Sequence, residues 1–306
     1  MAAQQRVVIG PGAHCDQATD KSRTVSFGDL TFENAGFPYF DYYLAWFDYH
    51  LRSSGKGLIG LPPYSFYMMG EGQWLSSATW PPDNAREERW FLSSDGRANS
   101  RDGNGRLGPQ ASTIAAFDQY RYDPLHPVPT RGGGICCTGN AANRQGHIDQ
   151  HDVEQRADVL VYTTPVLVQP LRIAGPLSAH LFVSSSAKDT DYVARLVHVW
   201  PDGRATNIQE GALRARYRNG VDRPVLLTPD EPVELTIDMR ATAYTVPKGH
   251  RLRLDVTSSS FPRLERNLNT GGANFDEAVP TIAVNRVYHG ASRSSYLQMH
   301  KLPPPR

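Results

Sequence analysis

His14 has the clearest chemical potential of any residue in the chain. It follows Val7-Val8-Ile9, an apolar run of strand type, and a Gly10-Pro11-Gly12 turn. A histidine on a turn at the end of a strand can take a proton from a hydroxyl nucleophile and return it to a leaving group, provided a third group orients its ring. The chain carries no Gly-x-Ser-x-Gly segment or near variant, and Asp16 follows the histidine instead of preceding it. The strand starts almost at Met1, so nothing ahead of it can hold a nucleophile. The expectation is a C-terminal part of a catalytic unit whose other half lies elsewhere.

Other segments have the residue types for chemistry but not the spacing. Gly132-Gly133-Gly134-Ile135-Cys136-Cys137 could cradle a phosphate, but no Lys-Ser/Thr and no helical pattern follow it. Cys15, Cys136 and Cys137 make an odd count with two neighbours, which is no disulfide framework and no zinc spacing. They read as reduced thiols, with no metal and no cofactor expected. Asp189-Thr190-Asp191 opens like a calcium loop without the later oxygen ligands, so turn chemistry is expected. Arg214, Arg216 and Arg218 alternate as on one strand face, exposed or ion-paired. His50, His180, His198, His250, His289 and His300 read as structural or exposed. Trp74, Trp80 and Trp90 read as packing at a domain junction.

The elements that would position these residues fall into two stretches. Residues 6–10 read as a buried strand. Phe37, Phe40, Tyr43, Leu44, Phe47 and Leu51 recur at three- and four-residue steps and predict a helix over 37–53, capped by Asn34 or Gly36 with Pro38 in its first turn. Tyr64 to Gly70 reads as a further strand. Beyond Trp80-Pro81-Pro82 the helical period is lost. Short strand-like runs follow at Trp90–Leu92, Val159–Tyr162, Leu177–Val183, Tyr192–Trp200, Ala212–Tyr217, Val233–Ile237 and Leu252–Thr257. Pro201-Asp202-Gly203-Arg204 is a hairpin turn. The boundary is expected between residues 80 and 90, with 1–85 an α/β remnant and 86–306 a jelly-roll β-sandwich, so the fold class is mainly β. The tail Leu302-Pro303-Pro304-Pro305-Arg306 is expected to fray.

Composition excludes several classes. The 306 residues are 40% hydrophobic and 21% charged, which suits a globular protein. A net charge of +1 gives no footprint for nucleic acid. No apolar run reaches the ~18 residues of a membrane span, and no signal peptide is read, which favours a cytoplasmic location.

In order along the chain, Ile9-Gly10-Pro11-Gly12-Ala13-His14, Trp46-Phe47-Asp48-Tyr49-His50-Leu51 and Tyr67-Met68-Met69-Gly70-Glu71-Gly72-Gln73-Trp74 resemble segments of cocaine-esterase-like (CocE/NonD) hydrolases. So do Tyr122-Asp123-Pro124 through Gly132-Gly133-Gly134, Asp158 to Thr164, Val183 to Tyr192, Pro201 to Arg204, Pro247 to Leu252 and Ser258 to Pro262. These hydrolases share their last domain with Xaa-Pro dipeptidyl peptidases, and α-amino-acid ester hydrolases and glutaryl acylases are relatives. The resemblance implies the last elements of an α/β-hydrolase domain followed by a jelly roll. It implies that His14 is the histidine of a Ser–Asp–His triad whose serine and aspartate lie upstream of Met1. It implies that Ile135, Cys136 and Cys137 border the acyl or leaving-group pocket. The family usually has a larger residue two places before this histidine, where Gly12 stands here. The partners implied are a small ester, amide or peptide substrate and the absent N-terminal hydrolase half, with self-association into a homo-oligomer as a further expectation. A non-catalytic β-sandwich binding module is the alternative.

Overall fold

The computed structural model describes residues 5–12, 23–52, 60–135, 144–273, 275–290 and 292–304. His14, Cys15, Cys136 and Cys137 lie outside the described residues.

The first part is a strand–helix–strand unit. Strand β1 (Val7–Ile9) lies parallel to β4 (Tyr64–Met68), with Val7 opposite Tyr64 and Ile9 opposite Phe66. β5 (Gln73–Ser77) pairs antiparallel with β4, giving the order β1-β4-β5. Between β1 and β4 the chain forms a hairpin, β2 (Val25–Phe27) with β3 (Leu30–Phe32), and the helix α1 (Tyr39–Arg52). β1 is not the buried strand that its composition suggests. Val7 is exposed and the rest is half-buried, because β1 is an edge strand with β4 as its single partner among the described residues.

The helix starts at Tyr39, so neither Asn34 nor Gly36 caps it. Asp41 in its first turn and His50 and Arg52 in its last turn complement the helix dipole, and Arg52 reaches back to Asp48 at 3.4 Å. No residue of α1 is buried. Phe40, Leu44, Phe47 and Leu51 form an exposed apolar stripe. Phe37 departs from that stripe. It precedes the helix and is buried, its ring 4.6 Å from Trp74 and 4.7 Å from Tyr42.

The remaining strands are β6 (Arg86–Ser93), β7 (Arg106–Gly108), β8 (Ala116–Tyr122), β9 (Leu160–Thr163), β10 (Leu171–Ser185), β11 (Asp191–Val199), β12 (Ala205–Arg214), β13 (Val233–Val246), β14 (Arg251–Thr257), β15 (Ala283–His289) and β16 (Tyr296–Lys301). A short helix, α2 (His151–Glu154), stands before β9. The strands pair in the order β12-β11-β14-β9-β7-β6-β16-β10-β15-β8, with β13 added on β10. The two ends of this order face each other. Leu196 of β11 and Leu254 of β14 share one core with Leu181 and Val183 of β10 and Ile237 of β13. The result is the mainly β sandwich expected. Each such aliphatic side chain contributes roughly 1.5–3 kcal/mol by leaving water.

Two local expectations change. The run Ala212–Tyr217 leaves the strand at Arg214, and Ala215–Tyr217 is a 3-10 turn. The turn forms because Asp189 accepts the Arg216 backbone N–H at 2.9 Å and the Thr190 carbonyl accepts that of Ala215 at 2.9 Å. The arginines therefore do not alternate on one face. Arg214 pairs with Asp191 at 2.8 Å, Arg216 pairs with Asp189 at 2.7 Å, and Arg218 donates to the Ala215 carbonyl. Asn267 donates to both aspartates at 2.8 Å, so the Asp189–Asp191 segment is a turn held by arginine and amide donors. The tail is also better held than expected. Leu302 is buried with its N–H on the Arg172 carbonyl, and Arg172 Nη1 donates to the Pro303 carbonyl at 2.7 Å.

The two parts are joined by backbone. Just past β4, the Met69 N–H donates to the Ala243 carbonyl at 3.0 Å, and the Thr245 N–H donates to the Met69 carbonyl at 2.8 Å. Met69 thus extends β4 onto the outer side of β13. Gly70 then turns away at φ +83°, where a Cβ would overlap the Thr245 carbonyl. Glu71 accepts Arg172 Nε at 2.5 Å, Arg172 Nη2 at 3.0 Å and Thr245 Oγ1 at 2.6 Å. Phe66 and Met68 pack with Ala174, Ala243 and Leu302 of the sandwich, with Trp80 at the margin. Of the three tryptophans expected at a junction, Trp80 packs at this joint; Trp74 packs within the first part against Phe37 and Tyr67, and Trp90 belongs to the sandwich core.

Candidate functional site

A cavity of about 220 Å³ opens at the carboxyl end of β1. Ile9 to Gly12 form one wall; Gly133, Gly134, Gly146, His147 and Asn207 form another; Tyr67, Met69 and Ala241–Ala243 close it. The described end of the first loop is Gly12, two residues before His14. The described part of the glycine loop ends at Ile135, which is half-buried and does not line the cavity. Geometry therefore brings Gly10–Gly12 and Gly133–Gly134 to one space. The positions of His14, Cys136 and Cys137 fall outside the described residues.

Three backbone and side-chain links fix these walls. Gly133 and Gly146 exchange backbone hydrogen bonds in both directions, at 2.7 and 2.9 Å. Asn207 of β12 accepts the Ile148 N–H on Oδ1 at 2.7 Å and donates from Nδ2 to the Gly146 carbonyl at 3.2 Å. The β2–β3 hairpin is latched to the same segment. His147 donates its N–H to the Phe27 carbonyl, and Asp29 donates its N–H to the His147 carbonyl at 2.6 Å. Arg144 and the Asp149 N–H both reach the Asp29 carboxylate. Gly28 sits between them at φ +74°, where any Cβ would overlap the His147 backbone.

His147 is the residue that the sequence reading missed. It is 4% exposed, with the rings of Phe32, Tyr244 and Phe27 at 5.5, 5.9 and 6.0 Å. Its Nδ1 is 2.6 Å from the Asn207 carbonyl. A carbonyl accepts only, so Nδ1 carries the proton. Burial holds the pKa of His147 below the ordinary imidazole range, against a smaller upward pull from that hydrogen bond. Tyr67 donates to the Glu33 carbonyl at 2.5 Å, and burial with the nearby Glu33 charge pushes its pKa up to about 12. No Asp, Glu, Lys or Arg lines this cavity among the described residues.

Beneath the glycine loop lies a buried ionic network. Arg195 meets Glu210 at 2.6 Å, and Arg263, whose guanidinium stands beside Gly134, meets the same carboxylate at 2.5 Å. Burial would raise the Glu210 pKa, but the two arginines outweigh it and hold the carboxylate charged. Asp255 is opposite Arg195 on β14. Burial raises its pKa well above the ordinary range, and neither of its oxygens finds a hydrogen bond. The network braces the sandwich under the loop and does not open into the cavity.

One further cluster has the composition of a catalytic triad without its geometry. Ser94 Oγ is 2.7 Å from Asp118 Oδ1 and 3.1 Å from His289 Nε2, while Asp118 Oδ2 is 3.2 Å from that same Nε2. A proton relay needs the histidine to bridge the serine and the acid through different nitrogens. Here both partners share one nitrogen, and Nδ1 is buried without a partner. Asp118 also accepts Tyr162 Oη and the Ala98 N–H at 2.9 Å, so the cluster is a packing device. His198 is structural as well. It bonds Tyr244 Oη at 2.8 Å and His250 Nδ1 at 2.7 Å, and burial with the neighbouring His250 pushes its pKa down to about 3. Among the described residues no group of three or more metal-ligating side chains comes together, and no helix is long and apolar enough to cross a membrane.

Residues 57–298 match the X-Pro dipeptidyl-peptidase C-terminal non-catalytic domain, and His14 lies ahead of that stretch. The chain is 38% identical over 300 residues to cocaine esterase of Rhodococcus sp. (strain MB1 Bresler), covering 96% of this chain and 51% of that protein. Its fold superposes on an aminopeptidase from a marine sediment Thaumarchaeota archaeon with a TM-score of 0.84 at 29% identity, covering 98% of this chain and 50% of the other. An α-amino acid ester hydrolase gives 0.81 at 28% identity, covering 97% and 50%. The chain spans about half the length of these relatives. It belongs to the family of X-Pro dipeptidyl-peptidase C-terminal non-catalytic domains and corresponds to the C-terminal portion of a CocE/NonD-like protein.

Proposed function

We propose that this chain supplies the triad histidine and the sandwich wall of a serine hydrolase that cleaves small esters, amides or Xaa-Pro peptides. The observation that carries this reading is the shared cavity. Gly10–Gly12, which lead to His14, and Gly133–Gly134, which lead to Ile135, Cys136 and Cys137, border one space that no charged side chain lines among the described residues. In this reading His14 is general base toward a serine hydroxyl and then general acid toward the leaving group. Cys136 and Cys137 border the acyl or leaving-group pocket, and Ile135, which does not line the described cavity, leads to them. The serine, its aspartate and the oxyanion donors come from an N-terminal hydrolase half, so this chain alone is inactive. That half covers the exposed α1 stripe and the edges of the β1-β4-β5 sheet, since unpaired edges and large apolar patches recruit a cover.

Hydrolysis of p-nitrophenyl esters tests the proposal. The chain alone gives no turnover above its His14→Ala variant. Mixed with a hydrolase half that carries the serine and aspartate, it gives turnover that His14→Ala abolishes. A stable complex with no turnover refutes the reading, and His14-dependent turnover by the chain alone refutes the missing nucleophile. One observation favours a second reading, a sandwich that binds without chemistry: the matched family is one of non-catalytic domains, and the matched residues 57–298 exclude His14. Binding of the chain to immobilised sugars would favour it.

A further inference from the structure

His147 presents an unfilled acceptor. Its Nδ1–H is committed to the Asn207 carbonyl, so in the neutral ring Nε2 holds a lone pair. That nitrogen meets no hydrogen-bond donor among the described residues. It is also not among the sealed, unpartnered polar atoms of the described residues, where His289 Nδ1 stands. The residue lines the cavity beside Gly10–Gly12. The remaining described walls are glycine, alanine, aliphatic and aromatic groups with Asn207, Gln209 and Thr242, and none of these is charged.

We propose that His147 is a specificity-determining residue: its Nε2 accepts a hydrogen bond from an uncharged N–H or O–H group of the ligand, such as a carboxamide or a phenol. This deepens the reading of the cavity as a substrate subsite and rests on it. A free carboxylate or ammonium is a poor occupant of the described walls, because they offer no counter-charge to replace its hydration. A group with no donor is also a poor occupant, because it strips water from Nε2 and offers nothing in return. Sites built around a hydrogen bond reject analogues that lack it more strongly than apolar pockets reject an extra methyl. At about 220 Å³ the cavity is below the ~300–1,000 Å³ that encloses a whole ligand, so it receives one substituent.

The test is binding, which needs no catalysis. The 306-residue chain is titrated with benzamide against N,N-dimethylbenzamide, and with phenol against anisole, by calorimetry or saturation-transfer NMR. The donor-bearing member of each pair binds about five- to tenfold more tightly, the value of one neutral hydrogen bond. His147→Phe keeps a ring and removes the acceptor, so both members bind it alike. His147→Gln retains an acceptor oxygen and part of the preference. In wild type the ¹⁵N resonance of His147 Nε2 moves on adding benzamide and stays in place with the dimethyl analogue, a readout that does not depend on how either variant folds. Equal affinities within each pair, a preference that survives in His147→Phe, an unmoved Nε2 resonance, or no binding of any probe would each overturn the proposal. A chain that discriminates the probes but never supports hydrolysis refutes the hydrolase reading alone. Hydrolysis without discrimination refutes this inference alone.

Discussion

Replacing Glu71 by alanine tests how the strand–helix–strand unit is held to the sandwich. The Glu71 and Arg172 side chains are 14% and 9% exposed, and the carboxylate accepts two bonds from Arg172, one from Thr245 and one from Gln73. Removing one member of a buried pair costs roughly 3–5 kcal/mol, because the other charge stays behind without its partner. Arg172 keeps its bond to the Pro303 carbonyl, which favours the lower end, about 3 kcal/mol. At roughly 2–4 °C per kcal/mol for chains somewhat shorter than this one, Tm falls by about 6–12 °C. The pair also leaves a mark in acid. Burial pushes the Glu71 pKa up, but the bonds from Arg172, Thr245 and Gln73 and the Arg172 charge outweigh it and leave the value below 4.5. A carboxylate with a lowered folded-state pKa stabilises fully above its unfolded value and loses that contribution as pH falls through the folded one. Urea unfolding between neutral pH and about pH 3 should therefore show a steeper acid decline in wild type than in Glu71→Ala. A cycle with Arg172→Met should give a coupling above about 1 kcal/mol. A loss below about 1 kcal/mol with an unchanged acid decline would refute the claim that this pair ties the two parts together.

Two other outcomes follow from the geometry. Ser94→Ala leaves esterase turnover by the completed enzyme unchanged and lowers stability by about 1–2 kcal/mol, measured by urea unfolding, because Asp118 loses one donor among several; a large loss of turnover with intact folding would restore the triad reading of that cluster. Leu44→Glu with Phe47→Glu shifts the isolated chain toward monomer in sedimentation velocity, because both side chains stand on the uncovered α1 stripe; unchanged sedimentation of an associated wild type would place the association elsewhere.

The sequence was most legible where one face of an element is wet. The alternation in Ala179–Val183, where Ala179, Leu181 and Val183 are buried and His180 and Phe182 only half-buried, led to a real strand. It was least legible where tertiary cover buries both faces. β13 reads as a strand over Val233–Ile237, yet it runs on to Val246. Arg240 adopts φ +64° and interrupts the pattern, and from Thr242 to Val246 every side chain is buried. Met69 covers that stretch from outside, and no local pattern can announce this. The 3-10 turn at Ala215 was hidden for the same reason, since its cause, Asp189, lies 27 residues away along the chain. Within the candidate site, the glycine turns that lead toward His14 and Ile135 were visible because glycine is locally distinctive. His147 was not, because its role comes from the Asn207 carbonyl 60 residues later.

The backbone continuity between Met69 and β13 bears on how this chain and its relatives can be recombined. Composition changes between β5 and β6, and that stretch invites a crossover point for chimaeras. A crossover there would leave the Ala243 carbonyl and the Thr245 N–H facing a strand from another parent, with Glu71 and Arg172 no longer matched. β1 through β5 therefore travel with the sandwich as one cassette. Chimaeras spliced ahead of Val7 should keep the seam intact and inherit the loop that leads to His14 already set against the glycine loop.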